Sequence, residues 1–279
     1  NQYVQFYHDD LLKNENSSIA REYLKKRNLS KEEVKKFKIG YVDKKINFFD
    51  RLKKDFSKKI LIESGLFYLD EKKNIYVERF RERIIFPINS ISGQPIGLGG
   101  RTIQENNYLA KYINSPETPF FKKGSNLYNL DLARKLSNKI DHVYLVEGYM
   151  DVVGLSKNKI ENVVANLGTS LTDKQILILN QFFEDIIICF DGDESGYKAA
   201  LRAAENSIKE LQPEKQISFL FLPDGEDPDS FVNNNSLEEF VKLLKNPISL
   251  VNFVFYQASL AHLFDNADDK IIFDKYIDE

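Results

Sequence analysis

The run Phe190-Asp191-Gly192-Asp193-Glu194 follows an apolar stretch, Ile186 to Cys189, with three acids in four residues. Two other segments end the same way. "HVYLVE" (142–147) stops at Glu147, with Asp151 four residues on, and "QISFLFLP" (216–223) runs into Asp224, Glu226, Asp227 and Asp229. Carboxylates crowded at the end of an apolar segment repel one another and lose water, which raises their pKa values and weakens the fold. A hard divalent cation removes the conflict. Mg²⁺ takes carboxylate oxygens, keeps several waters and completes its shell with substrate phosphates. Asp-Gly and Asp-Pro-Asp are also ordinary turn formers, and acids cap helix N-termini. Taken alone, Asp191-Gly192-Asp193 is better read as a turn; three acidic segment ends together favour a metal.

These acids need elements that bring them to one place. From Asp141 onward the pattern gives strands at 142–147, 162–168, 185–191 and 216–223, with helices at 149–157, 172–183 and 196–211 between them. Strands alternating with helices predict a parallel sheet covered on both faces. Its strand ends then share one edge, where ligands gather in such folds. Gly148 and Gly192 would let the backbone turn tightly beside the ions. From Ser236 onward the chain is predicted helical, with 248–264 as a buried helix.

The preceding half reads differently. Residues 17–38 predict two short helices, the second opened by a Ser30–Glu33 capping box. Residues 83–101 predict a hairpin turning at "SISGQP", and 105–129 a long ordered loop. Arg79, Arg81 and Arg83 alternate, so an extended segment would project all three from one face, unless Glu78 and Glu82 pair with them. Arg101 follows Gly-Gly, a sequence that permits close approach to a phosphate.

Composition sets limits. A chain of 279 residues fits one large domain or two modest ones. One cysteine, Cys189, and three histidines exclude a disulfide framework and a Cys/His zinc cluster. Cys189 is expected to be a small core residue in a reducing compartment. No apolar run is long enough to span a bilayer and no leader is expected. The net charge of −3 conceals an asymmetry: residues 1–140 carry 28 Lys and Arg against 17 Asp and Glu, and the remainder 11 against 25. A basic half points to a polyanion, or simply to a solvated lysine-rich surface.

"VEGYMD" (146–151), "FDGDESG" (190–196) and "FLPDGEDPDSF" (221–231), in that order, resemble the Toprim domain. "ERFRERIIFPI" (78–88), "IGLGGR" (96–101), "KYINSPETPFFKKGSNLYNL" (111–130) and "VVANLGTSLT" (163–172) narrow the resemblance to the polymerase core of bacterial DnaG-type replicative primases, over most of residues 17–232. The resemblance implies an α/β fold: a basic α+β subdomain at 1–140, a Toprim parallel-sheet subdomain at 141–235 and the start of a C-terminal helical bundle at 236–279. It implies RNA primer synthesis on a single-stranded DNA template from ribonucleoside triphosphates, with Mg²⁺ or Mn²⁺ and no zinc in this stretch. Asp191 and Asp193 become the principal metal ligands, supported by Asp227, Asp229 and Asp151, and Glu147 a ligand or proton acceptor. Asp151 has an alternative role as a cap or surface residue, and Asp229 as an N-cap. Arg27, Arg79, Arg81, Arg83, Arg101, Lys111, Asn114 and Lys123 are the expected template or nucleotide contacts. Tyr112, Phe120 and Phe121 are candidates to stack on bases, with core packing the default for Phe120.

The same resemblance implies a cytoplasmic protein of the replication fork. It also implies a core separated from the zinc-binding and helicase-binding domains of the family, with the bundle cut short at Glu279. Replicative helicase and single-strand-binding protein would be met mostly through those other regions. Asn28, where the family usually has Gly, puts a tight turn there in question. The alternatives are a Toprim nuclease or topoisomerase-like strand cutter, and a non-catalytic single-strand-binding scaffold.

Overall fold

A computed structural model describes residues 1–45, 48–104, 109–235 and 237–262, with side chains through Ser259. Helix α1 (Gln2–Lys13) buries Val4, Tyr7, His8 and Leu11, one face at helical spacing. Helices α2 (Ser18–Lys26) and α3 (Lys31–Lys36) follow, and Ser30 and Glu33 form the expected capping box. Asn28 closes the turn between them at φ +57°, a left-handed conformation that Asn tolerates. Strand β1 (Gly40–Tyr41) leads to a small lobe of α4 (Phe48–Leu52), α5 (Lys58–Glu63) and the hairpin β2 (Phe67–Asp70) and β3 (Ile75–Glu78).

Strands β4 (Arg83–Asn89) and β5 (Pro95–Thr102) form the expected hairpin, with Gly93 at φ +84° in its turn. Strand β6 (Tyr112–Asn114) completes an antiparallel sheet ordered β1-β4-β5-β6. The structure departs from the sequence pattern at two places. The 105–129 stretch is not all loop, since β6 lies within it; residues 105–108 fall outside the described residues. Residues 79–82 form a turn, with Glu82 at φ +55°, so no extended segment carries Arg79, Arg81 and Arg83 on one face.

After α6 (Leu130–Ala133) the chain enters the second sheet. Strands β7 (His142–Val146), β8 (Val163–Ala165), β9 (Asp185–Phe190) and β10 (Gln216–Phe221) are parallel, linked by α7 (Tyr149–Lys157), α8 (Asp173–Asn180) and α9 (Glu194–Ile208). Then come α10 (Pro228–Asn234), α11 (Leu237–Leu243), β11 (Ile248–Ser249) and α12 (Leu250–His262). The sheet order is β11-β10-β9-β7-β8, with β11 antiparallel to β10. The region after 236 is therefore not wholly helical. Nor is the described part of 248–264 a buried helix: α12 buries Leu250 and Phe253 but leaves Val251 64% and Phe255 60% exposed, while residues 263–279, with the expected end of the bundle, lie outside the described residues.

Both faces of the parallel sheet are covered. Tyr144 and Val146 share a core with Ile84, Phe86 and Ile88 of β4 and Met150, Val152 and Val153 of α7. Val143 and Leu145 pack with Ile176, Leu179, Ala200 and Ala203 of α8 and α9. One continuous core thus joins the antiparallel sheet to the parallel one, fixing the basic half against the acidic edge. The outer edge of β8 is sealed by Tyr128, which exchanges both backbone hydrogen bonds with Ala165. Cys189 is buried, as expected of a core thiol. Among the described residues no helix is long and apolar enough to cross a membrane.

Candidate active site at the acidic sheet edge

Parallel register aligns the strand ends. Leu145 pairs with Ile188 and Phe190 with Phe221, so the acids that follow leave along one edge. Glu147 is the first residue past β7 and is open to solvent on one side. Partial loss of solvent, then the negative charge of Asp193, raises its pKa, opposed by the nearby backbone of Asp191. Asp191 is half-buried. Loss of solvent, then Glu147, Asp227 and Asp193, push it up to about 7, opposed by Lys111. Asp191 Oδ1 is buried and has no hydrogen-bond partner.

Asp193 caps α9, accepting the Gly196 N–H at 2.7 Å, and Asp227 caps α10, accepting the Ser230 N–H at 2.6 Å. Each cap uses one carboxylate oxygen. The two acidic loops are laced together: Gly192 N–H donates to Glu226 O and Gly225 N–H to Gly192 O, both at 3.0 Å. A Cβ at Gly192 would stand 1.9 Å from Pro223 O, so this close approach requires glycine.

Asp151 and Asp229 behave differently. Asp151 accepts the Gly148 N–H at 2.8 Å, and its carboxyl is held far above the carboxylate range by burial, then by Asp227, Asp191 and Asp229. Asp229 pairs with Arg27 at 3.5 Å and accepts from Asn233 at 3.0 Å. Burial, then Asp227, raises its pKa, and Arg27 opposes. Gly154 admits it, since a Cβ there would lie 2.5 Å from Asp229 Oδ1. These two acids form the seam between α7 and α10. The N-cap of α10 is Asp227, not Asp229, which sits in its first turn.

The expected basic contacts divide. Lys111 is exposed and its charge acts on Asp191. Arg83 is buried and donates to Ala110 O at 2.9 Å, holding the backbone that carries Lys111. Arg101 is buried too. Its guanidinium lies 5.4 Å from the Tyr23 ring centre and 5.1 Å from that of Tyr112, and its charge reaches Asp229. The glycines before it accommodate aromatic rings, not phosphate: a Cβ at Gly99 would meet Tyr149 at 2.3 Å and one at Gly100 would meet Phe80 at 2.6 Å. Asn114 is an internal brace, donating to Leu167 O at 2.7 Å and accepting from the Tyr149 hydroxyl. Arg79 donates to Gly65 O and Arg81 to Lys44 O. Lys123 rides on a loop clamped to α8, where Gln175 donates to Lys123 O and Asn126 O and Thr172 to Gly124 O.

Phe120 is 81% exposed and Phe121 fully buried, which reverses the expected default for Phe120. Tyr149 and Gln175 escaped the sequence reading. Tyr149 stacks on Phe86 at 5.1 Å and fills the space left by Gly99, anchoring the start of α7 two residues past Glu147. Its position between two acids was the available signal. For Gln175 the signal was the box Thr172–Gln175, which caps α8.

The assembled edge is an all-oxygen site in which the carboxyls of Glu147 and Asp191 are raised by burial and by neighbouring acids, with the charge of Lys111 acting on Asp191. Among the described residues no three His, Cys, Asp or Glu side chains already surround one point at ligating distance. The unpartnered Asp191 Oδ1 and the oxygen-only donors fit a hard cation that keeps part of its water shell.

Comparison with known proteins agrees with this geometry. Residues 6–134 match the family described as the DNA primase catalytic core, N-terminal domain, and residues 141–221 match the Toprim domain. The DNA primase of Haemophilus influenzae is 38% identical over 268 residues, 94% of this chain and 43% of that protein. A DNA primase domain from Pseudomonas aeruginosa superposes with a TM-score of 0.88 at 37% identity, over 93% of this chain and 81% of that one. A DnaG primase catalytic domain bound to ssDNA gives a TM-score of 0.85 at 36% identity, over 92% and 80%. The chain spans less than half the length of the curated relatives it matches.

Proposed function

The chain belongs to the family of bacterial DnaG-type primase catalytic cores, and from that premise we propose that it synthesises RNA primers on single-stranded DNA by metal-dependent ribonucleotidyl transfer. The observation that carries the proposal is the convergence of Glu147, Asp191, Asp193 and Asp227 on one edge, with a buried Asp191 oxygen left unpartnered. Asp191, with the uncapped oxygens of Asp193 and Asp227, would hold Mg²⁺ or Mn²⁺. Bound there, the ion supplies charge stabilisation to attacking and leaving oxygens. Asp151 and Asp229 support the edge from behind, through Gly148 and Arg27.

Glu147, open on one side, takes the proton of a primer 3′-hydroxyl. The 3′-oxygen forms its bond to the α-phosphorus of the incoming triphosphate as the bond to pyrophosphate breaks. Lys111, whose charge acts on Asp191, would attract the phosphates of the incoming nucleotide. Arg79, Arg81 and Lys123 offer contacts to the template backbone, which position a strand without reading it. Arg27, Arg83, Arg101 and Asn114 act indirectly, as braces. The template is single-stranded DNA and the substrates are ribonucleoside triphosphates; one solved relative was determined with ssDNA. By family, replicative helicase and single-strand-binding protein are the wider partners, and the cytoplasmic replication fork the place.

Labelled ribonucleotide incorporation on a single strand, with and without chelator, tests this. Incorporation that needs a divalent ion is expected. Cleavage products without extension would instead indicate a Toprim nuclease, and binding that survives chelation without incorporation a scaffold.

A further inference from the structure

Gln175 lies in the first turn of α8 and is fully buried. Its Oε1 accepts the Thr172 N–H at 3.1 Å, which is all that a capping box asks of it. Its amide nitrogen serves another segment: it donates to Lys123 O at 3.1 Å and to Asn126 O at 3.0 Å. A side-chain amide has two N–H donors, and here each meets a carbonyl. Glutamate would cap α8 equally well, but a carboxylate has no proton to give those carbonyls. The loop, and not the cap, therefore calls for glutamine. Beside it the Thr172 hydroxyl donates to Gly124 O at 2.7 Å, so the carbonyls of Lys123, Gly124 and Asn126 all rest on the start of α8.

The clamp closes on one cation. The Lys123 N–H donates to Glu117 Oε1 at 3.1 Å and the Lys123 carbonyl accepts from Gln175. Both backbone groups are held, which leaves the partly exposed side chain alone free to move. Two halves of the chain meet in this contact. Lys123 belongs to the basic half and Gln175 to the parallel-sheet half, and residues 168–171, which lead into α8, line one cavity with Glu147. We propose that Gln175 is a positioning residue for nucleic-acid binding: its two hydrogen bonds hold Lys123 at a fixed place relative to the acidic edge, where the ammonium meets a phosphate of the single strand. This rests on the template contact assigned to Lys123 above.

The test is a double-mutant cycle on the affinity for labelled oligo(dT), read by fluorescence anisotropy, with circular dichroism confirming the fold of each variant. Lys123→Ala should weaken binding about fivefold at low salt and make log K fall less steeply with log salt, by about 0.7, as for one phosphate of a single strand. Gln175→Met fills the same space and removes no charge, yet should weaken binding by a similar factor. Adding Lys123→Ala to it should cost less than about a further twofold. A role in capping alone would make the two losses multiply. That result, or wild-type affinity in Gln175→Met, would overturn the proposal. Should Gln175→Met fail to fold, Thr172→Val, which loses the bond to Gly124, enters the same cycle with the same criterion, and Thr172→Ser, which keeps the hydroxyl, should bind like wild type. Unchanged affinity and salt slope in Lys123→Ala would remove the strand contact and the proposal with it. Absence of ribonucleotide incorporation by wild type, with the coupling intact, would sink the primase function and leave the clamp standing.

Discussion

Glu78 ends β3 only 3% exposed, with the Tyr7 hydroxyl and the Phe48 N–H each donating to it at 2.8 Å. Burial pushes its carboxyl from 4.5 to about 7, against the pull of those bonds and of Arg81. Below pH 4.5 folded and unfolded chains both keep the proton. Between 4.5 and 7 the unfolded chain has lost it while the folded chain holds it, so stability falls as pH rises; above 7 the loss is complete. At about 1.36 kcal/mol per pH unit, that window is worth roughly 3 kcal/mol. Glu78→Gln keeps the shape and removes the titration: its amide oxygen can accept from Phe48, and the Tyr7 hydroxyl can rotate to accept the amide N–H. Urea unfolding from about pH 4.5 to about pH 8 should show wild type and variant close together at the acid end. The variant should be more stable by roughly 3 kcal/mol at the alkaline end. Parallel stability curves for the two proteins would refute the assignment of a buried, proton-holding Glu78.

Two more perturbations probe the join between the basic half and the acidic edge. Arg27→Met leaves Asp229, 2% exposed, without its ion-pair partner and with only the more distant charge of Arg101, and should cost about 1–3 kcal/mol in urea unfolding, less than a fully buried pair because Arg27 is partly solvated. Adding Asp229→Asn should return part of that loss, and strictly additive effects would contradict the pairing. Gly99→Ala places a Cβ 2.3 Å from the Tyr149 ring and should cost about 1–3 kcal/mol, with reduced ribonucleotide incorporation as the start of α7 shifts beside Glu147. An unchanged melting temperature would contradict that contact.

The parallel sheet and its acidic edge were legible because one periodicity carries both: apolar runs with β-branched residues, each ending in acid, at 142–147, 185–191 and 216–223. Local signals also worked where the chemistry is local, as at the Ser30 capping box and the turn at Gly93. Burial of the cations was not legible. Arg83 and Arg101 look like surface phosphate contacts in sequence, but their partners are carbonyls and aromatic rings contributed from more than ten residues away. The alternation of Arg79, Arg81 and Arg83 was misleading because a left-handed residue, Glu82, breaks the strand period. Phe120 and Phe121 are adjacent and alike, and only the turn closed by Thr118 decides which enters the core. The same holds for Asp227 and Asp229, whose roles depend on where α10 begins.

The central claim is that separate strand ends gather their carboxylates around a divalent ion at Asp191. Mn²⁺ binding followed by electron paramagnetic resonance tests it most directly, in wild type and in Asp191→Asn, with circular dichroism confirming that both are folded. Wild type should bind Mn²⁺, Mg²⁺ should compete for it, and Asp191→Asn should weaken binding at least about tenfold, since roughly 1.4 kcal/mol suffices for that factor. Equal Mn²⁺ affinity in the two proteins would contradict the assignment.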